Sequence, residues 1–192
     1  MKTTTDRNIV HSIVVGDEMV GKTSLAHSKL ALSFQDDYIP TVFENFEIKH
    51  KVGGEDFVIS LFDTAGLDNH RNLRTFAYNI CHAIIMCFSV CDKESYKNVI
   101  DVWMPEIIAE TKGKIPIILV GTQADTRGHV FPELEISTDA GYKLAKQIGA
   151  DTYIECSALT KEGLNFAFNN VIYSALKYRK KNETVLKRIL GI

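Results

Sequence analysis

Gly16-Asp17-Glu18-Met19-Val20-Gly21-Lys22-Thr23 fits the pattern G-x-x-x-x-G-K-[ST] and directly follows the apolar run Ile9-Val10-His11-Ser12-Ile13-Val14-Val15. A glycine-rich turn between a strand and a helix can aim successive backbone N–H groups at phosphate oxygens. On that reading Glu18, Met19, Val20, Gly21 and Ser24 lie along the phosphates. Lys22 bridges the outer phosphates as a point charge, and the Thr23 hydroxyl is a ligand for Mg²⁺. The plain alternative is an ordinary strand-to-helix turn.

Outward from this stretch, apolar runs of strand length alternate with segments of helical period. That alternation predicts an α/β class, a six-stranded, mostly parallel sheet with helices on both faces. Helices are expected over 22–33, with Leu25, Leu30 and Leu32 among its core residues, and over 69–78, 93–110, 138–147 and 162–181. Ser137 and Asp139 are the N-cap candidates of the fourth. The runs at 46–49 and 57–62 flank Gly53-Gly54, a dipeptide suited to a hairpin, so one edge strand should be antiparallel. Runs at 83–90 and 115–120 read as strands covered on both faces, and 152–156 closes the sheet.

The 192 residues are 45% hydrophobic and show no linker, which points to one domain. A formal net charge of −2 and the lack of a basic block interleaved with aromatics argue against a nucleic-acid partner. Apolar stretches fall short of the ~20 residues that span a bilayer, and the polar 1–7 segment is no signal peptide, so a cytoplasmic location is expected. The four cysteines, Cys81, Cys87, Cys91 and Cys156, read as buried thiols, with metal or disulfide roles the alternative.

Two further constellations fall at the expected C-terminal ends of strands, where open α/β sheets bind ligands. In Asp63-Thr64-Ala65-Gly66, Asp63 can hold Mg²⁺ through a water, and the Gly66 N–H can sense a terminal phosphate. An Asp-x-x-Gly surface turn is the alternative. In Thr122-Gln123-Ala124-Asp125, the Asp125 carboxylate can accept from guanine N1–H and the N2 amine. Adenine lacks that pair of donors, so ATP would leave a buried charge unpaired. The Gln123 stem can cover one face of the base and Phe34 the other, while Ser157, Ala158 and Leu159 can present N–H groups to the guanine carbonyl. Taken alone, Asp125 is an ordinary turn residue.

These residues resemble the small GTPases, and specifically the Rho family, over nearly the whole chain. Tyr38-Ile39-Pro40-Thr41-Val42-Phe43-Glu44-Asn45 looks like the Rho first switch and effector loop, whose threonine ligates Mg²⁺ when GTP is bound; Thr41 takes that place here. Thr122-Gln123-Ala124-Asp125 is similar to the Rho form T-[KQ]-x-D, and Glu155-Cys156-Ser157-Ala158-Leu159-Thr160 to the last guanine motif. The resemblance implies the small-GTPase fold, one GTP-binding domain over 1–181, and a basic tail or helix extension over 182–192. It also implies a GTP/GDP switch using Mg²⁺, loaded by exchange factors, silenced by activating proteins, and read by effectors through 38–46 and 67–78. Tyr38, Pro40, Thr41 and Gly66 would contact nucleotide, and Lys22, Thr41, Gly66 and position 67 would carry the hydrolytic machinery. Cytoskeletal roles follow only from family analogy.

Four departures stand out. Glu18 replaces a glycine near the terminal phosphate, crowding the space an activating protein's arginine would enter. Leu67 replaces the glutamine that orients the attacking water; it is either native or an engineered substitution, which we favour because the rest of the switch machinery is present. Only 126–136 is available for the Rho insert helix, which should be missing or truncated. No cysteine follows Cys156, so the prenylation signal is absent, through truncation or because no lipid is needed. The basic residues Lys177, Arg179, Lys180, Lys181, Lys187 and Arg188 are either a membrane-directed patch or a solvated helix face. The chain is thus either a slow GTP-hydrolysing switch or a persistently GTP-loaded interaction module. An ATP-using kinase or motor is disfavoured by Asp125.

Overall fold

The computed structural model describes residues 8–30, 43–64, 66 and 71–190, with side chains as far as residue 184. Six strands form one sheet in the order β2-β3-β1-β4-β5-β6: β1 Ile9–Val15, β2 Phe43–Val52, β3 Glu55–Thr64, β4 Ala83–Ser89, β5 Ile117–Thr122 and β6 Thr152–Glu155. Only β2 is antiparallel, joined to β3 through Gly53 (φ 60°) and Gly54 (φ 87°), the two positive φ values a tight hairpin demands. The chain moves from β1 to one side for β3 and to the other for β4, so β1 sits at the topological switch point.

Period-2 alternation sends each strand's side chains to two cores. Val10 and Val14 of β1, with Ile85, Cys87, Ile118, Val120 and Ile154, pack against α1 (Lys22–Lys29) and α6 (Leu164–Leu190). Ile13 and Val15, with Ile84, Met86, Phe88 and Leu119, face the opposite layer. That layer holds α2 (Arg71–Ile80), α3 (Lys93–Asn98), α4 (Met104–Thr111) and α5 (Thr138–Ile148). At 27 residues α6 is about 40 Å long. Its apolar stripe from Leu164 to Ala175 is buried against the sheet, and Arg179 donates to Ile9 O (3.1 Å). Among the described residues no helix is long and apolar enough to cross a membrane.

Several expectations need correction. The helix predicted over 93–110 is helical throughout but not uniformly α: a π-helical turn, Val99–Trp103, joins α3 to α4. The strand placed at 115–120 runs from Ile117 to Thr122, because Pro116 has no N–H for the ladder and can only accept, its carbonyl taking the Ile84 N–H (2.9 Å). The last strand stops at Glu155, one residue short of Cys156. Ser137 alone caps α5, accepting from Ala140 N (3.2 Å); Asp139 instead pairs with Lys143 one turn on (2.7 Å). The first helix is described to Lys29, Leu30 packs against the core, and Leu32 lies outside the described residues.

Tyr153 of β6 shows how tightly the second core is built. Its ring stacks on Phe88 (6.0 Å, 7°), meets Tyr142 edge-on (5.2 Å), and donates its hydroxyl to Glu155 (2.8 Å). A Cβ on Gly141 in mid-α5 would lie 2.1 Å from that ring. Alanine ordinarily improves a helix over glycine by about 1 kcal/mol. Here the clamped ring reverses the sign: Gly141→Ala should cost about 1–3 kcal/mol through overpacking. That corresponds to a fall of roughly 2–12 °C in Tm at about 2–4 °C per kcal/mol. Calorimetry giving an unchanged or higher Tm would show that Tyr153 is free to move.

Candidate functional site

The C-terminal ends of β1, β3, β4, β5 and β6 share one edge of the sheet, and the described residues of the motifs after β1, at the end of β3, and after β5 and β6 collect there. The chain leaves β1 at Gly16, whose backbone presses so closely on β4 that a Cβ would stand 2.3 Å from Cys87 O. It re-enters helix at Gly21 (φ 86°), where no side chain caps α1. The first N–H groups of a helix have no intrahelical acceptor, and the macrodipole adds partial positive charge, so this terminus is built for an anion.

Lys22 opens α1 and is only 7% exposed, its ammonium donating to Asp17 O (2.5 Å). Burial pulls its pKa down, opposed by the charge of Asp63 and others. Thr23 Oγ1 donates to Asp63 Oδ2 (2.5 Å). Asp63 is fully buried at the end of β3, and burial raises its carboxyl to about 6 despite the Thr23 hydrogen bond and Lys22. Its other oxygen, Oδ1, has no hydrogen-bond partner among the described residues. A desolvated carboxylate oxygen with an open coordination position, beside a threonine hydroxyl, is the donor set a hard divalent cation takes. The residues present therefore fit Mg²⁺. Gly66 lies against the loop: a Cβ there would be 2.7 Å from Glu18 N and 2.8 Å from Gly16 O, so only glycine permits this approach. Glu18 and Met19 are exposed on the crown of the loop, and Val20 is buried beneath it.

Beside the loop lies a cavity of about 160 Å³ lined by Gly21, Ser24, Leu25, Thr122, Gln123, Asp125, Thr126, Cys156, Ala158 and Leu159. Whole small-molecule sites run to roughly 300–1,000 Å³, so this space suits one ring system of a ligand that continues along the loop. Gln123 (φ 57°) accepts from Ser89 Oγ (2.6 Å) and donates to Met19 O (3.0 Å), bridging sheet and loop. Thr122 Oγ1 lies 2.5 Å from Val20 O and 2.9 Å from Phe88 O. Ala124 N donates to Cys156 O (3.1 Å), tying the β5 and β6 loops together. A larger cavity of about 400 Å³, with Ile107, Ile115 and Tyr178 in its wall, contains none of the motif residues.

Sequence reading differs from this geometry in two ways. Ser157 is fully buried, its N–H donates to Glu162 O (3.1 Å) and its Oγ accepts from Thr160 N (3.0 Å). It shapes the turn, and Ala158 and Leu159 line the cavity in its place. Leu25, Thr126 and Cys156 were not anticipated as lining residues, nor were the partners of Asp17. The Asp17 carboxylate accepts from Asn98 Nδ2 (2.6 Å) and Trp103 Nε1 (2.7 Å). A lone tryptophan within an expected amphipathic helix was the available signal. Phe34, Tyr38, Pro40, Thr41 and Leu67 lie outside the described residues. Cys81, Cys87 and Cys156 are buried free thiols, with burial pushing Cys81 and Cys156 up to about 12; Cys91 is half-buried and accepts from Thr126 Oγ1 (2.9 Å).

The loop after β1, the carboxylate at the end of β3 and the Gln-x-Asp turn after β5 thus converge around one helix N-terminus. The Ras family model matches residues 11–177, from within β1 to within α6. That span covers every described element of the site, and the chain belongs to the Ras family, the switch-type small GTPases that bind guanine nucleotide.

Proposed function

We propose that this chain is a Rho-type switch that binds GTP or GDP with Mg²⁺ and recruits effectors in the GTP state, with GTP hydrolysis impaired. The observation that carries the nucleotide reading is Asp125 in the wall of a ring-sized cavity beside an uncapped helix N-terminus and the buried Lys22. In this reading the loop amides and Lys22 hold the phosphates, and Gln123 and Leu159 flank the base. Asp125 selects guanine. Thr23 and Asp63, with Thr41, would hold Mg²⁺, which would neutralise charge on the outer phosphates.

The Rho assignment rests on Tyr38 to Asn45 and on the Thr122 and Glu155 motifs. Between Thr126 and Thr138 the chain forms a single 3₁₀ turn, Pro132–Leu134, and no α-helix, in keeping with a reduced insert. Arg127 clamps this segment to β6 through Glu155 (2.7 Å). Effectors are assigned to 38–46 and 67–78, with exchange factors loading the switch and activating proteins silencing it. A cytoplasmic location, at a membrane where the native chain carries a lipid, completes the proposal. Glu18 and Leu67 favour a second reading for this chain, a persistently GTP-loaded module with negligible turnover.

Titration calorimetry tests the base. Asp125→Ala should weaken GDP binding by about a hundredfold or more, the cost of losing two hydrogen bonds to a charged acceptor. ADP should bind the parent chain far more weakly than GDP; parity within tenfold would remove the guanine assignment.

Single-turnover hydrolysis tests the catalytic reading. Activating proteins contribute about 10⁵-fold in the Ras system, roughly 7 kcal/mol of barrier. The parent chain should hydrolyse GTP very slowly, Leu67→Gln should restore intrinsic turnover, and full activation should return only when Glu18→Gly is added. Rapid turnover by the parent would refute this account.

The metal reading has its own pH signature. With the Asp63 carboxyl at about 6 in the metal-free protein, Mg²⁺ must displace a proton below that pH. Its affinity for the GDP-bound chain should fall toward acid, by about tenfold per pH unit once Asp63 is protonated. An equal loss in Asp63→Asn would show that another group titrates.

A further inference from the structure

We propose that Asp17, Asn98 and Trp103 form, with Arg74 and Glu106, a relay through which the placement of α2 sets the shape of the phosphate loop and hence nucleotide retention. The proposal rests on the nucleotide-binding reading above.

Asp17 is held at three points. Its two carboxylate oxygens accept from Asn98 (2.6 Å) and Trp103 (2.7 Å), and its carbonyl from Lys22 (2.5 Å). The loop's conformation therefore depends on two side chains from outside it. The π-helical turn explains how both reach one carboxylate. Five residues apart on a regular α-helix, Asn98 and Trp103 would point about 140° away from each other. An i→i+5 turn brings them toward the same face, and such turns recur at functional sites.

The Arg74 guanidinium lies over the Trp103 ring, 5.2 Å from its centroid. Arg74 and Trp103 are each 1% exposed. Arg74 makes a bidentate pair with Glu106 (2.7 and 2.7 Å), which also accepts from Tyr78 (3.0 Å). Arg74 and Tyr78 belong to α2, and Glu106 to α4. Buried ion pairs contribute little net stability against hydrophobic replacements, and they recover their desolvation cost only where the geometry is good. The opposite face of α2 carries exposed Leu73, Phe76 and Ile80, so a protein gripping that face has purchase on the helix. Any displacement of α2 moves Arg74 against Trp103, and Trp103 is a direct ligand of the loop.

Release of a fluorescent GDP analogue from the full chain, chased with unlabelled GDP, tests the relay. Asp17→Ala, Trp103→Phe and Arg74→Lys should each speed release by about fivefold or more, the lower range of site-to-site coupling. Arg74→Lys keeps the charge but loses the fork and the stacking. The decisive measurement is the double-mutant cycle: in Trp103→Phe/Arg74→Lys the effects should fall well short of multiplying. Gly141→Ala, destabilising but remote from Asp17, should leave release unchanged. The relay is overturned if the two effects multiply, if Trp103→Phe or Arg74→Lys stays within twofold of the parent, or if Gly141→Ala accelerates release equally. Should Asp17→Ala fail to fold, the Trp103 and Arg74 cycle decides alone. If the parent chain binds no GDP analogue, the nucleotide reading fails and the relay with it, an outcome distinct from normal binding with unaltered release.

Discussion

Charge taken out of water at the end of β1 and β3 is the constraint around which this molecule is arranged. Lys22 and Asp63 are both buried, and the α1 N-terminus beside them has no side-chain cap. Isolated, each would be costly: an ammonium and a carboxylate resist desolvation, and unpaired N–H groups lose their hydrogen bonds to water. Together they form a cradle whose cost an anion at the helix terminus and a hard cation at Asp63 would offset. The directions of the two shifts, Lys22 down and Asp63 up, follow from the same desolvation.

Holding such a cradle open requires rigid surroundings, and the hydrogen bonds around the loop provide them. Thr122 and Gln123 bond Val20 O and Met19 O from the β5 side, while Asn98 and Trp103 hold Asp17 from the helical layer. The loop is thus fastened both to the strand end that lines the cavity and to helices with exposed apolar residues on their outer face. A site so anchored is preorganised, and its conformation can be altered only by moving the elements that anchor it. This is what a switch requires: a binding site whose geometry is set by parts a partner can grip.

The β6 side shows how economically the segment after Asp125 is kept in place. Arg127 pairs with Glu155, which also accepts from Tyr153, and Gly128 N donates to Glu135 Oε1 (2.7 Å). A short segment held by charge-assisted bonds can do without a helix of its own. Phe131, 71% exposed, and Leu134 project from it.

The sequence by itself determined the class, the six strands, the hairpin at Gly53-Gly54, and the motifs that the fold brings to one edge of the sheet. These were legible because they depend on local physics: apolar periodicity, glycine at positive φ, and motif spacing that is contiguous in the chain. The tertiary structure decided what depends on residues distant in sequence. The π-helical turn at Val99–Trp103 leaves the local helical pattern nearly unchanged, and its purpose is visible only when Asp17 is opposite. Asp17 itself was an unassigned letter in the loop motif, Ser157 turned inward to Glu162, and Tyr153 made Gly141 indispensable. Each of these is a contact between elements, where the free energy depends on which side chains the fold brings together, and no one-dimensional pattern carries that information.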